Sequence, residues 1–74
     1  MEAQNLIKMA NKIGDFFQSM PDKKEAQEGV ANHIEKFWDP RMRKAFLALI
    51  DAAQDQNLSV FVKEAIITHR SRLA

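Results

Sequence analysis

The chain has 74 residues, no cysteine, and 11 lysines and arginines against 10 aspartates and glutamates, for a formal net charge of +1. That length limits it to one domain, in the range where a single core is only marginally stable without a disulfide, a metal or a partner. Without cysteine there is no disulfide framework and no thiolate zinc site, and the near-cancelling charges give too weak a field to argue for nucleic acid.

No apolar run approaches the roughly 18–20 residues of a membrane span. The N-terminus carries Glu2, Gln4, Asn5 and Lys8 where a signal peptide would be apolar. Together these features predict a soluble protein of the cytoplasm, with no membrane contact.

A first helix is predicted over about residues 3–19. At about 100° per residue, Leu6, Met9, Ala10, Ile13, Phe16, Phe17 and Met20 fall within one arc of roughly 120°. Gly14 lies on the flank of that stripe at a cost of about 1 kcal/mol relative to Ala, which is tolerable where a neighbouring helix comes close. Pro21 and Asp22 stop the chain and restart it, and Asp22 with Glu25 three residues on has the form of a capping box. A second helix over about 23–38 turns Ala26, Val30, His33, Ile34 and Phe37 inward. Trp38 is at the edge of that arc, so its ring is expected to straddle core and surface.

The stretch from His33 to Arg43 is the most informative in the chain, because it joins two helices while bringing aromatics, a cap and two guanidinium groups into one corner. Pro40 biases Asp39 away from the helical region and so ends the second helix near Trp38. The same proline suits the first position of a new helix, which makes Asp39 its N-cap. Arg41, Arg43 and Lys44 follow in the first turn, where the macrodipole disfavours cations by about a few tenths of a kcal/mol. Local helix stability does not account for them; an acidic partner surface would, set against the ordinary solvation of a charged face. Phe37, Trp38, Asp39, Pro40, Arg41, Met42 and Arg43, with Leu47 one turn further on, are therefore the candidate partner-binding residues.

A third helix over about 40–53 carries Met42, Ala45, Phe46, Leu47, Leu49, Ile50 and Ala53 over an arc near roughly 200°, the pattern of a central element. Gln54 to Asn57 form the connection, with Asn57 expected to take the left-handed conformation. Ser59 caps a fourth helix over about 60–72, whose stripe is Val62, Ala65, Ile66, His69 and Leu73, while Val60 and Ile67 point away. The sequence thus predicts an all-α fold, a compact bundle of four short helices, with Asp22, Asp39 and Ser59 as structural caps. Ile7, Leu47, Val60 and Ile67 fall off the principal faces. Burial of one such side chain is worth about 1.5–3 kcal/mol, so a cluster of them would drive association with a partner or a homodimer of the isolated chain.

Catalytic chemistry finds no footing. The two glycines, Gly14 and Gly29, stand far apart in helical segments, so no phosphate-binding loop forms. Ser19, Ser59 and Ser71 lack the base and orienting acid of a nucleophile. His33 and His69 lie in apolar stripes without the spacing of a metal site, so neither metal nor cofactor is expected. The second and third helices superficially resemble a helix-turn-helix, with Arg41, Arg43 and Lys44 leading the second member. However, Phe46, Leu47, Leu49 and Ile50 leave little polar face for phosphates and base edges. A small helical regulatory or nucleic-acid-binding protein is the alternative reading.

Several segments resemble one family. Leu6 to Phe17, Glu25-Ala26, Gly29 to Ile34, Leu58-Ser59, Val62 to Ala65 and above all Phe37-Trp38-Asp39-Pro40-Arg41-Met42-Arg43 are similar to the small delta subunit of cytoplasmic NAD-dependent formate dehydrogenases. The corner is the specific part of the match, which covers most of the chain. The resemblance implies an accessory subunit without redox chemistry of its own. In such enzymes the alpha subunit holds pterin-bound molybdenum or tungsten where formate is oxidised, iron–sulfur clusters carry electrons onward, and a flavin subunit reduces NAD. The delta subunit is implied to help assemble or stabilise that complex, with the other formate dehydrogenase subunits, above all the alpha subunit, as its partners.

Overall fold

The computed structural model describes residues 2–74, which form five helices: α1 (Ala3–Gln18), α2 (Lys23–Phe37), α3 (Pro40–Asp51), α4 (Val60–Thr68) and α5 (Arg70–Leu73). Short polar side chains start three of them. The Glu25 N–H donates to the Asp22 carboxylate at 3.2 Å, the Met42 N–H to Asp39 at 3.0 Å and the Val62 N–H to the Ser59 hydroxyl at 3.2 Å. Each bond satisfies one of the amides that a helix start leaves free. The fold is all-α, as the periodicity predicts.

The last helix differs from its expected span of 60–72. His69 leaves the helical region (φ −109°, ψ 24°), ending α4 at Thr68 and starting the single turn of α5. This break turns Leu73 into the core and sets Arg72 against Asn32 and Glu35 of α2. The left-handed residue also differs, being Ala53 (φ 56°) where Asn57 was expected. Its position follows from the hydrogen bonds that close α3. The Gln54 N–H donates to Leu49 O at 2.9 Å and the Ala53 N–H to Ile50 O at 3.1 Å, the paired bonds of a Schellman ending.

α2, rather than α3, is the central element. It packs against α1, α4 and α5, while α3 lies chiefly on α1. The buried residues of α2 are Ala26, Val30, Ala31 and Ile34, and small side chains among them let neighbours approach from several sides. By contrast α3 fully buries only Phe46 and Leu47, with Met42, Ala45, Leu49 and Ile50 half-covered around its flanks. The wide apolar arc of α3 is spread around an edge of the molecule.

α1 is turned from its expected orientation. Its buried residues are Leu6, Ile7, Ala10 and Gly14, flanked by half-buried Ile13 and Phe17. At about 100° per residue, this face is rotated by roughly 60° from the stripe of greatest apolar density. Ile7 is therefore inside, and Met9, Phe16 and Met20 are outside. Gly14 explains the rotation, because a Cβ there would collide with the Cγ2 of Val62. Only the hydrogen of glycine lets α4 lie this close to α1.

Polar side chains tie the α3–α4 connection to α1. The Asn11 amide donates to Asn57 O and its oxygen accepts from the Ser59 N–H, both at 2.9 Å. Ion pairs add further links: Asp55–Lys63 at 3.0 Å, Asp51–Arg70 at 2.7 Å and Glu64–Lys23 at 3.1 Å. The Arg70 guanidinium holds Asp51 below the usual carboxylate range, and Lys63 does the same for Asp55 against the opposing effect of burial. Hydrogen bonds from Lys23 and then Gln27 lower Glu64 likewise.

Two outcomes are expected. Ala53→Gly removes the strain of a left-handed alanine and should raise stability by about 0.5–1 kcal/mol, or roughly 2–8 °C in Tm followed by circular dichroism. Depressed carboxylates contribute stability that is fully present above their unfolded values, near about pH 4, and is lost as pH falls through the lower folded values. The urea midpoint should therefore hold steady from pH 7 to about 5 and fall below about 4, with a shallower acid slope for Asp55→Asn.

Candidate functional site

The corner between α2 and α3 divides its residues between core and surface. Asp39 and Trp38 are both extended, Trp38 at φ −90° and ψ 136°, so the tryptophan leaves the helical path that Phe37 still follows. Its ring swings inward onto Phe46, centroid to centroid 5.3 Å at 70°, an edge-to-face contact. Trp38 is only 5% exposed and Leu47 only 6%. This corrects the expectation that Trp38 straddles the surface and that Leu47 is free to meet a partner: both are core residues that hold the corner's shape.

Arg43 is also turned inward. Its Nη1 donates to Glu35 O at 2.9 Å, in the last turn of α2. A cation suits that place, where free carbonyls and the helix dipole are both negative. Arg72 reaches the same turn from α5, its Nη2 lying 3.1 Å from Glu35 Oε1. Asp39 is occupied as a cap and Met42 is packed against the core. What the corner presents outward is Phe37, Pro40 and Arg41, with Lys36 and Lys44 beside them. The basic cluster of the third helix is thus two exposed cations, Arg41 and Lys44, and one structural arginine.

Phe37 belongs to a larger surface. Its ring lies 4.8 Å from that of His33, which lies 6.5 Å from Phe17, which in turn meets Phe16 edge-on at 5.0 Å. Phe16 and Phe37, at the two ends of this row, are 73% and 72% exposed. Met9 is exposed as well, and Ile13 lines a hollow with Phe16, Phe17 and His33. Phe37, expected to turn inward, is thus outside, and so are Phe16, Met9 and Met20 of the predicted apolar arc of α1. A signal was available in the Phe16-Phe17 pair, since adjacent helical residues diverge by about 100° and cannot both face one narrow core.

Among the described residues no three histidine, cysteine or acidic side chains converge where a metal could sit. His33 is held between two phenyl rings, and His69 marks the α4–α5 break. No helix among these residues is long and apolar enough to cross a membrane.

Comparison with known proteins agrees with the family resemblance. The family model described as NADH-dependent formate dehydrogenase delta subunit FdsD matches residues 5–66 of the chain. That span includes most of α1, all of α2 and α3 and most of α4, and so all the residues of the corner and the aromatic row. Neither the curated proteins nor the solved structures include a match.

The inward Trp38 is directly measurable, as it is the chain's one tryptophan. Native emission should be blue-shifted and weakly quenched by acrylamide, shifting to the red on unfolding. Trp38→Ala should cost about 3–5 kcal/mol, enough to leave a domain of this size largely unfolded, whereas Arg41→Ala should change stability by less than about 0.5 kcal/mol.

Proposed function

The chain belongs to the NADH-dependent formate dehydrogenase delta-subunit family, and from that membership we propose a non-catalytic accessory subunit that docks on another subunit of the enzyme. The alpha subunit, which carries the pterin-bound molybdenum or tungsten in the enzymes that the family resemblance implies, is the partner. Docking there assists assembly or stability of the active complex in the cytoplasm.

The observation that carries this reading is the split of the chain's apolar groups. Its core is complete with Trp38, Phe46, Leu6, Ile7 and Ile34 inside, yet Phe16, Phe37 and Met9 stay in water. Exposing these groups has no local purpose, and burying one aromatic against a partner is worth about 2–3 kcal/mol. Phe37, Pro40 and Arg41 are the corner residues placed to touch that partner. Trp38, Asp39, Met42, Arg43 and Leu47 serve it by shaping the bend. Aromatic and arginine side chains are the types enriched among residues that dominate binding energy.

Native purification through a tag on this chain should recover the formate dehydrogenase alpha subunit. Cells lacking the chain should yield less formate-dependent NAD reduction per alpha subunit and a lower metal content in that subunit. Arg41→Glu should weaken recovery by about tenfold, equivalent to about 1.4 kcal/mol. Arg43→Glu is unsuitable for this purpose, because it breaks the bond to Glu35 O. Formate oxidation by the purified chain alone, or a failure to recover any dehydrogenase subunit, would overturn the reading.

A further inference from the structure

We propose that the paired outer face of α1 and α2 is the docking surface, and that its occupant is an amphipathic helix of the partner subunit with carboxylates flanking its apolar side chains. This rests on the accessory-subunit reading above and adds the place and chemistry of the contact.

The face is continuous, and the register of the two helices builds it. A Cβ at Gly29 would fall 2.5 Å from Phe17 Cδ1, so the phenyl ring lies directly on the backbone of α2. From that crossing the antiparallel helices run in steps of four residues, setting Ile13 beside His33. Two hollows result, one on each side of the Phe17–His33 contact. One, of about 210 Å³, is lined by Ile13, Phe16, Phe17 and His33. The other, of about 250 Å³, is lined by Phe17, Gly29, Asn32, His33, Lys36 and Phe37. Met9 to Phe17 of α1 span about 12 Å at 1.5 Å per residue, the length of a little over two turns of a partner helix. Side chains spaced i, i+3, i+4 and i+7 on such a helix would fill both hollows.

Charge selects the occupant. Lys36 lines one hollow, Arg41 stands beyond Phe37, and Lys12 follows Met9 on the outer side of α1. None of these cations enters the ion pairs found among the described residues, which join Lys23 to Glu64, Lys63 to Asp55, Arg70 to Asp51 and Arg72 to Glu35. Near the Phe37 end, Asp39 is spent on its cap and Glu35 is held by Arg72. Lys12, Lys36 and Arg41 are therefore free to meet carboxylates, whereas Glu25 at the opposite end sits in the first turn of α2. The partner's acidic groups accordingly lie toward Phe37. No row of rings joins the other exposed apolar pair, Val60 and Ile67 of α4. Lys63 and Glu64 stand between them, each already in an ion pair.

Binding of purified variants to the isolated formate dehydrogenase tests the assignment, with helical content checked by circular dichroism. Phe16→Ser combined with Phe37→Ser alters only exposed rings, so the chain should stay folded while affinity falls more than tenfold. Lys36→Glu combined with Arg41→Glu should lower affinity about tenfold and flatten its dependence on salt between about 50 and 300 mM, a change of about 2.5-fold in Debye length. Val60→Ser combined with Ile67→Ser should bind as the unaltered chain does. If the unaltered chain binds and both face variants bind equally well, the proposed face is wrong while the accessory role stands. If the unaltered chain binds no dehydrogenase component, both fail. Sedimentation as a dimer that the phenylalanine variant disperses would assign the face to a second copy and overturn the proposed occupant.

Discussion

The edge-to-face contact of Trp38 with Phe46 is the interaction on which the corner, and through the corner the surface, depends. An aromatic of this kind removes roughly 150–250 Å² from water, about 4–6 kcal/mol at about 25 cal/mol per Å², and the edge-on geometry adds about 0.5–1.5 kcal/mol. That is a large share of what a domain of this length has in total. The extended backbone at Trp38 and Asp39 is what makes the contact possible. Once the tryptophan has turned inward, Phe37, one residue earlier and still helical, is left facing out. One turn of backbone thus sends adjacent aromatics to opposite sides of the protein boundary.

The same economy of space governs α1. A small core has room for one face of each helix, and Gly14 decides which face, because it alone lets α4 come close. The face so chosen takes Ile7 inside and leaves Met9, Phe16 and Met20 outside. Gly29 has the matching role on α2, accepting the ring of Phe17 onto its backbone. The two glycines, which no catalytic motif uses, are where the interior and the aromatic surface are respectively set. A chain with a closed core and an apolar outer row has the form of a component completed by association, and membership of a formate dehydrogenase subunit family supplies the setting.

Local features were legible from residue order. Asp22, Asp39 and Ser59 cap α2, α3 and α4 as their spacing indicates, because a cap needs only a short polar side chain and an amide three residues on. The break at Asp39-Pro40 was equally plain. The Schellman ending at Ala53 was less so, since alanine carries no left-handed preference and its conformation is imposed by bonds to Leu49 and Ile50. Arg43 gave no sign of its structural role. Its carbonyl partner at Glu35 belongs to the preceding helix and becomes a neighbour only when the corner closes.

By itself the sequence determined the all-α class, the starts of the helices, the position of the corner and the family to which the chain belongs. These follow from steric preferences and hydrogen bonds acting over about four residues, and from motifs read directly. Tertiary structure alone decided that α2 is central, that Trp38, Leu47 and Ile7 go inside, and that Phe16 and Phe37 stay out. Those outcomes come from competition among more apolar side chains than so small a core can hold, which close approach at Gly14 and Gly29 resolves across distances that helical periodicity does not encode.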